Sequence, residues 1–260
     1  MTDLVERVDE GAVRVLRLNR PDARNALDMA LLKAIRAELG AAAKEGVRCL
    51  VLTGNGKGFC AGADVKEWSE LAEKGVPDAY DWVGEAHAMM VELHDLAAPS
   101  IAMINGTAVG AGLDMALACD FRFASADARF RCAYTRIGYN PDAGGTWLMP
   151  QLMGLEAAKR FAFTGDMWSA EEARDNGLLT EVHAAAALEE ATMAFARKLG
   201  SGPSVAIRLT KALINGAATR SLADQLKEEK KAGEICGKTE DSKEALRAVV
   251  EKRDPVFKGV

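Results

Sequence analysis

Two short stretches of the chain combine small residues with the expected start of a helix, an arrangement that lets backbone amides act on a ligand. The first is Phe59-Cys60-Ala61-Gly62-Ala63-Asp64-Val65-Lys66 and the second runs from Gly106 through Val109-Gly110-Ala111 to Gly112. Small side chains let a ligand approach the main chain, and amides at a helix N-terminus point outward with a partial positive charge. Two such amides meeting on one oxygen would form an oxyanion hole. Taken alone, either stretch reads as a tight turn between strand and helix. Gly54-Asn55-Gly56-Lys57-Gly58-Phe59 puts Phe where a dinucleotide fingerprint needs its third glycine, and Gly-Lys is not followed by Ser or Thr. Nicotinamide and nucleoside-triphosphate chemistry are therefore unsupported. Cys49, Cys60, Cys119, Cys132 and Cys236 contain no CxxC pair and, with His87, His94 and His183 scattered, match no zinc spacing. They are expected as reduced, mostly buried thiols, with no metal bound.

The elements that must position these stretches can be read from hydrophobic periodicity. Val13 to Leu18 alternates with period two and stops at Asn19-Arg20-Pro21, a strand and a turn. Asp28 can cap a helix carrying Leu32, Ile35 and Leu39 and ending near Gly46. Val47 to Leu52 is nearly all apolar, a strand buried on both faces. A polar region around Leu71 to Asp78 leads to a helix with Ala86, Met90 and Leu93; Ile101 to Ile104 is a strand, followed by a helix through Cys119 and a strand at Phe121 to Ala124. This βα alternation predicts an α/β fold with largely parallel strands. From Glu156 onward the spacing predicts helices, with a capping box at Ser169-Ala170-Glu171-Glu172 and a stop at Gly177. Residues 1–200 are expected as the core and 201–260 as a helical extension.

The chain has 260 residues, 33 basic and 38 acidic side chains, and a net charge of -5. A chain of this length buries roughly 70% or more of its unfolded surface, so it can hold a large core. Net acidity argues against nucleic acid as the main partner. The N-terminus has acids at Asp3, Glu6, Asp9 and Glu10 where a secretory signal needs basic and apolar residues, and no apolar stretch is long enough for a membrane span. The expected location is cytoplasmic.

In their order and spacing, several segments resemble the enoyl-CoA hydratase/isomerase, or crotonase, superfamily. Asn19-Arg20-Pro21-Asp22-Ala23-Arg24-Asn25-Ala26-Leu27 is similar to its first substrate-binding turn, Leu52-Thr53-Gly54 through Lys66 to its first oxyanion segment, and Pro99-Ser100-Ile101-Ala102 through Gly112 to its second. Pro141-Asp142-Ala143-Gly144-Gly145-Thr146 resembles the active-site loop and Glu251-Lys252-Arg253 the C-terminal signature. The resemblance spans essentially the whole chain. It implies an α/β spiral of βαβ units with a C-terminal helical extension, assembled as a homotrimer or a dimer of trimers, and an acyl-CoA substrate with no other cofactor.

By this resemblance the amides of Ala63 and Ala111 hold the thioester oxygen, Ala111 standing where many relatives have Gly. Arg24, Ala26, Ala61, Asp64, Val65, Lys66 and Gly110 contact the acyl-CoA, and Lys252 reaches a CoA phosphate, from a neighbouring subunit in one arrangement. A bare surface charge is the alternative for Lys57 and Lys66. The family's hydratases carry two glutamates where this chain has Asp114 and Tyr134, and tyrosine, with a reference pKa near 10, is a poor carboxylate substitute. The stretch Ile137 to Trp147 looks most like the isomerase of bacterial phenylacetate degradation, whose matching aspartate, here Asp142, moves the proton. One carboxylate suffices for a double-bond shift. Asp114 equally fits a helix-start acid favoured by the dipole, Asp142 a simple turn residue, and Tyr134 a pocket wall. A hydratase using Asp114 is the second reading. His87, twelve residues before Pro99, falls where the superfamily's aryl-CoA dehalogenase has its histidine base, so an Asp142/His87 dehalogenase or thioester hydrolase is the third. A binding protein with a degenerate site is the non-enzymatic rival. Trp68, Trp82, Met89 and Met90 are expected to wall the acyl pocket or to pack in the core.

Overall fold

Strand β1 (Val5–Glu10) and β2 (Val13–Leu18) form an antiparallel hairpin in the computed structural model, which describes residues 3–73 and 82–260. The chain continues through α1 (Met29–Lys44), β3 (Cys49–Gly54), β4 (Gly58–Cys60), α2 (Val65–Glu73), α3 (Trp82–His94), β5 (Ser100–Ile104), β6 (Thr107–Val109), α4 (Ala111–Ala118), β7 (Phe121–Ser125) and β8 (Arg129–Arg131). Then follow α5 (Gly145–Thr164), β9 (Trp168–Ser169), α6 (Ala170–Asp175), β10 (Glu181–His183) and α7 (Ala185–Gly200). Helices α8 (Ser204–Ala217), α9 (Leu222–Cys236) and α10 (Glu240–Glu251) complete the described chain.

Two sheets result, in the orders β1-β2-β3-β5-β7-β10 and β4-β6-β8-β9. From β3 to β8 each passage adds one strand to the large sheet and one to the small, so the chain advances as a spiral. Pairing is parallel except at β1–β2 and β8–β9. This is the α/β spiral that the alternation and the resemblance imply.

Period-two alternation divides the large sheet between two cores. Val13, Val15, Cys49, Val51, Ile101, Met103 and Phe123 face Leu188, Met193 and Ala196 of α7, while Leu16, Leu18, Leu50, Leu52, Ala102 and Ile104 enter the main core with α1 and α3. Covering both faces explains why β3 is buried at every residue. Asp28 caps α1 by accepting from the Leu31 amide at 2.7 Å, and the Ser169/Glu172 box closes around the start of α6.

β4 and β6 fall in stretches read as glycine-rich loops and β8 was not expected, and three further features differ from the periodicity reading. β1 was not expected, because only Val5 is buried and its outer residues are charged. It is held by backbone pairing and by Arg7 and Arg14 bridging Asp9 and Glu45, and those charges also discourage edge-to-edge association. Helix α5 begins at Gly145 rather than near Glu156; Pro150 and a break at Gly154 (φ 76°) interrupt its pattern. β9 and β10 also interrupt the helical region, too short to show alternation. Among the described residues no helix is long and apolar enough to cross a membrane.

Candidate active site

The two glycine-rich segments meet because their glycines have no side chains. A Cβ on Gly62 (φ +90°) would lie 2.7 Å from the Val109 carbonyl and 3.4 Å from the Ala111 nitrogen, and one on Gly112 would lie 2.6 Å from the Cys60 carbonyl. Neither glycine can be enlarged without separating the segments. Asn25, fully buried, fastens the preceding turn to the first segment: its carboxamide donates to Asn55 O at 3.0 Å and Gly58 O at 2.9 Å and accepts from the Arg20 amide.

Both candidate amides belong to residues that border one cavity. Leu27 and Ala63 form a parallel bridge in which Leu27 N donates to Gly62 O and Asp64 N to Leu27 O, at 2.8 and 3.1 Å. In such a bridge the residue between the two bonds turns its own N–H to the opposite side, so the Ala63 amide points away from Leu27. Ala111 is the first residue of α4, and the cap, Gly110, offers no side chain. A first-turn amide has no intrahelical acceptor, and it carries the positive end of the helix dipole. Ala61 to Ala63 and Val109 to Ala111 border a cavity of about 90 Å³, with Val65, Trp82, Ala133, Tyr134, Ile137, Tyr139 and Asp142. A larger groove of about 450 Å³ between α4, α5 and α8 contains none of Ala63, Ala111, Tyr134 or Asp142.

Asp142 is the carboxylate among the described lining residues. Burial raises its pKa, opposed by a bond from its own amide and by the nearby His87. His87, on α3, has Nε2 2.5 Å from the Asp142 carbonyl oxygen. A carbonyl can only accept, so that nitrogen carries the proton and ties the Asp142 loop to α3. His87→Ala is expected to lower turnover about fivefold, the effect of one lost hydrogen bond, with partial rescue by His87→Gln. Steady-state kinetics on the three proteins checks this.

Asp114 has a different environment. It is 1% exposed, its Oδ2 accepts from Tyr134 Oη at 2.6 Å, and a Cβ on Gly145 would collide with its Oδ1. It is neither a helix cap nor a cavity-lining group. Burial, and secondarily the charge of Asp142, push its pKa up to about 7 despite the Tyr134 bond. Burial and the Asp114 carboxylate in turn raise the Tyr134 phenol. The sign for stability follows from linkage. Between the ordinary carboxylate value near 3.8 and about 7 the unfolded chain releases a proton that the folded chain keeps, so folding weakens as pH rises through that window. Relative to Asp114→Asn, the native protein is expected to lose up to about 4 kcal/mol between pH 4 and pH 7. Chemical denaturation of both proteins across that range measures it; a pH-independent difference would contradict the assignment.

The remaining expected site residues are dispersed. Ala61, Val65 and Gly110 line the cavity. Ala26 is buried, and its carbonyl accepts from Arg20. Asp64 does not line the cavity: its carboxylate pairs with Arg20 at 3.0 Å and accepts from the Lys66 and Glu67 amides at the start of α2. Arg24 (φ 52°) and Lys66 are exposed, as is Lys252, the left-handed C-cap of α10. Trp82 lines the cavity and donates Nε1–H to Leu27 O at 2.9 Å, while Met89 and Met90 pack in the core instead. The Trp68 side chain and residues 74–78 of the polar region lie outside the described residues. Ile137 and Tyr139, which lie just before Pro141 and carry no chemical signal in the sequence, both line the cavity while 65% and 58% exposed, a sign of a wall beside an opening. Among the described residues no cluster of His, Cys, Asp or Glu is arranged to hold a metal ion.

Residues 9–260 match the family described as enoyl-CoA hydratase/isomerase. The chain is 34% identical over 265 residues to the 1,2-epoxyphenylacetyl-CoA isomerase of Escherichia coli, covering 100% of this chain and 99% of that one. It is 35% identical over 246 residues to the short-chain-enoyl-CoA hydratase of Clostridium acetobutylicum, covering 94% and 93%. Among solved structures, PA4980 of Pseudomonas aeruginosa is 48% identical with a TM-score of 0.85 over 88% of this chain and 99% of that one. The enoyl-CoA hydratase of Bacillus anthracis is 37% identical with a TM-score of 0.93 over 99% and 100%.

Proposed function

The chain belongs to the enoyl-CoA hydratase/isomerase family, and from that premise we propose that it shifts a double bond in an acyl-CoA thioester, with Asp142 as the proton carrier. The Ala63 and Ala111 amides donate to the thioester oxygen and stabilise the enolate that forms when a proton leaves the α or γ carbon. Asp142 takes that proton from one carbon and returns it to the other, so the reaction begins and ends with the same carboxylate. The observation that carries this reading is that Asp142 shares a cavity with both amide segments, while Asp114 is buried behind it and bonded to Tyr134. The acyl group is an enoyl chain or a ring-derived unit, in line with the name of the Escherichia coli relative. Incubating the enzyme with a 3-enoyl-CoA in deuterium oxide should give the conjugated 2-enoyl thioester with deuterium at the α or γ carbon. No conversion and no exchange would refute the reading.

A hydratase is the second reading, with Asp114 acting on the cavity through the hydroxyl of Tyr134, to which it is bonded. Its mark is addition of water to crotonyl-CoA that collapses in Asp114→Asn. An Asp142/His87 hydrolytic pair is less favoured, because the His87 nitrogen nearest Asp142 is engaged with the loop carbonyl. Arg24 and Lys66 are proposed to meet the CoA phosphates, with Lys252 supplied by a neighbouring subunit. Residues 201–260 are proposed as an extension that builds a trimer or a dimer of trimers. Ile214, Leu222, Leu226, Leu246, Val249 and Val250 are all exposed there, more apolar surface than a free helical tail needs.

A further inference from the structure

A tyrosine hydroxyl has one proton to donate and two lone pairs to accept with. The Tyr134 proton is directed inward to Asp114 Oδ2 at 2.6 Å. Asp114 has little freedom to turn away, since every residue of α4 is buried and Gly145 presses against its other oxygen. The phenol end of Tyr134, rather than the root of its ring, sits beside the second segment: a Cβ on Gly110 would lie 3.9 Å from Tyr134 Cζ. Gly110 and Tyr134 both line the cavity. While Asp114 is ionised, which with its pKa raised to about 7 calls for a pH above that value, the cavity is offered an acceptor by Tyr134 and not a donor, so ligands are to be compared on that side of neutrality.

The other groups around the cavity have their own uses under the proposed function. The Ala63 and Ala111 amides take the thioester oxygen, Asp142 moves the proton, Val65, Val109 and Ile137 are apolar, and Tyr139, the other lining hydroxyl, is more than half exposed where Tyr134 is buried. A short acyl group takes up much of a space of about 90 Å³ and would lie against Tyr134. A methylene placed against Tyr134 Oη would leave a buried acceptor unpaired, whereas a ligand O–H would satisfy it. A ketone there would bring lone pairs against lone pairs.

We propose that Tyr134, oriented by Asp114, is a specificity-determining residue that accepts a hydrogen bond from a hydroxyl on the acyl group, so the site favours hydroxylated acyl-CoA thioesters over unsubstituted ones. This rests on the cavity binding acyl-CoA but not on the role of Asp142.

Equilibrium binding to the full chain, by calorimetry, tests it with butyryl-CoA, 3-hydroxybutyryl-CoA, 4-hydroxybutyryl-CoA and 3-oxobutyryl-CoA. The native protein should bind at least one hydroxylated ester about tenfold more tightly than butyryl-CoA, and the oxo ester no better than butyryl-CoA. Tyr134→Phe should reduce the hydroxyl preference to within about twofold whatever its absolute affinities. Asp114→Ala, which frees the phenol proton, should improve the 3-oxo ester relative to the hydroxylated one. Absence of the preference in the native protein, which needs no variant to fold, overturns the proposal, as does its survival in Tyr134→Phe. Binding with the preference but without proton exchange would refute the Asp142 reading and leave the Tyr134 assignment standing. If no ester binds, both fall.

Discussion

Asp142→Asn is expected to lower isomerisation and solvent proton exchange by about 10⁴-fold while leaving acyl-CoA affinity within a few fold. General acid–base groups contribute roughly 10² to 10⁴-fold, and the upper end applies here because a single carboxylate performs both the removal and the return of the proton. In transition-state terms the loss is about 5 kcal/mol. Asn has nearly the same volume and keeps a polar end in a half-buried position, so the loop tied to His87 should keep its course. Binding should persist because the thioester oxygen is held by main-chain amides that the substitution does not touch. The defect should therefore appear in kcat, the sign of an interaction used only in the transition state. Mass spectrometry of deuterium incorporated into an enoyl-CoA reads it, and undiminished exchange would exclude Asp142 as the carrier. Burial raises this carboxyl, and a base works only when ionised, so the native rate should fall on acidification at a pH above the ordinary Asp value near 3.9.

The parts of this site that the sequence revealed are those carried by short, continuous stretches. Gly62, Ala63, Gly110 and Ala111 lie in segments whose small residues announce close backbone approach, and the geometry there depends on local turns. The strands beside them were legible for the same reason: the period-two alternation of β2 and the short apolar runs of β3 and β5 are local properties. The Asp114–Tyr134 bond was not legible, since twenty residues and one passage of the spiral, through β7 and β8, separate the partners. An acid in a helix's first turn reads as a dipole effect, and Asp114 does occupy the first turn of α4, but its closeness to Gly145 and its bond to Tyr134 arise only in the tertiary structure. Asp64 illustrates the converse. Its motif suggests a ligand contact and gives no sign of the pairing of its carboxylate with Arg20 from the preceding turn. β1 escaped notice because its outward residues are charged and its stability comes from pairing with β2, which no pattern within β1 records.

Ala111→Pro isolates the oxyanion contribution, and it is expected to lower kcat by 10² to 10³-fold with little loss of stability. Proline is well tolerated at the first position of a helix, where the missing N–H has no intrahelical acceptor to lose and φ already suits the ring. The residue before a proline is restricted mainly through its Cβ, and here that residue is Gly110, which has none and adopts φ 52°, ψ -129°. The helix should therefore persist, its other seven residues still buried in the core. What disappears is one of the two donors aimed at the thioester oxygen, and the proline Cδ stands where the donated proton stood. Removal of one such donor costs about 3–4 kcal/mol of transition-state stabilisation in comparable sites. Ala111→Gly is the control: it retains the amide and should stay within a few fold of the native rate, the glycine costing at most about 1 kcal/mol of helix stability. Far-UV circular dichroism and thermal unfolding verify that Ala111→Pro is folded, after which kcat for enoyl-CoA isomerisation decides the matter. A folded Ala111→Pro that isomerises at the native rate would show that the oxyanion is held elsewhere, and the convergence of the two glycine-rich segments would then serve packing alone.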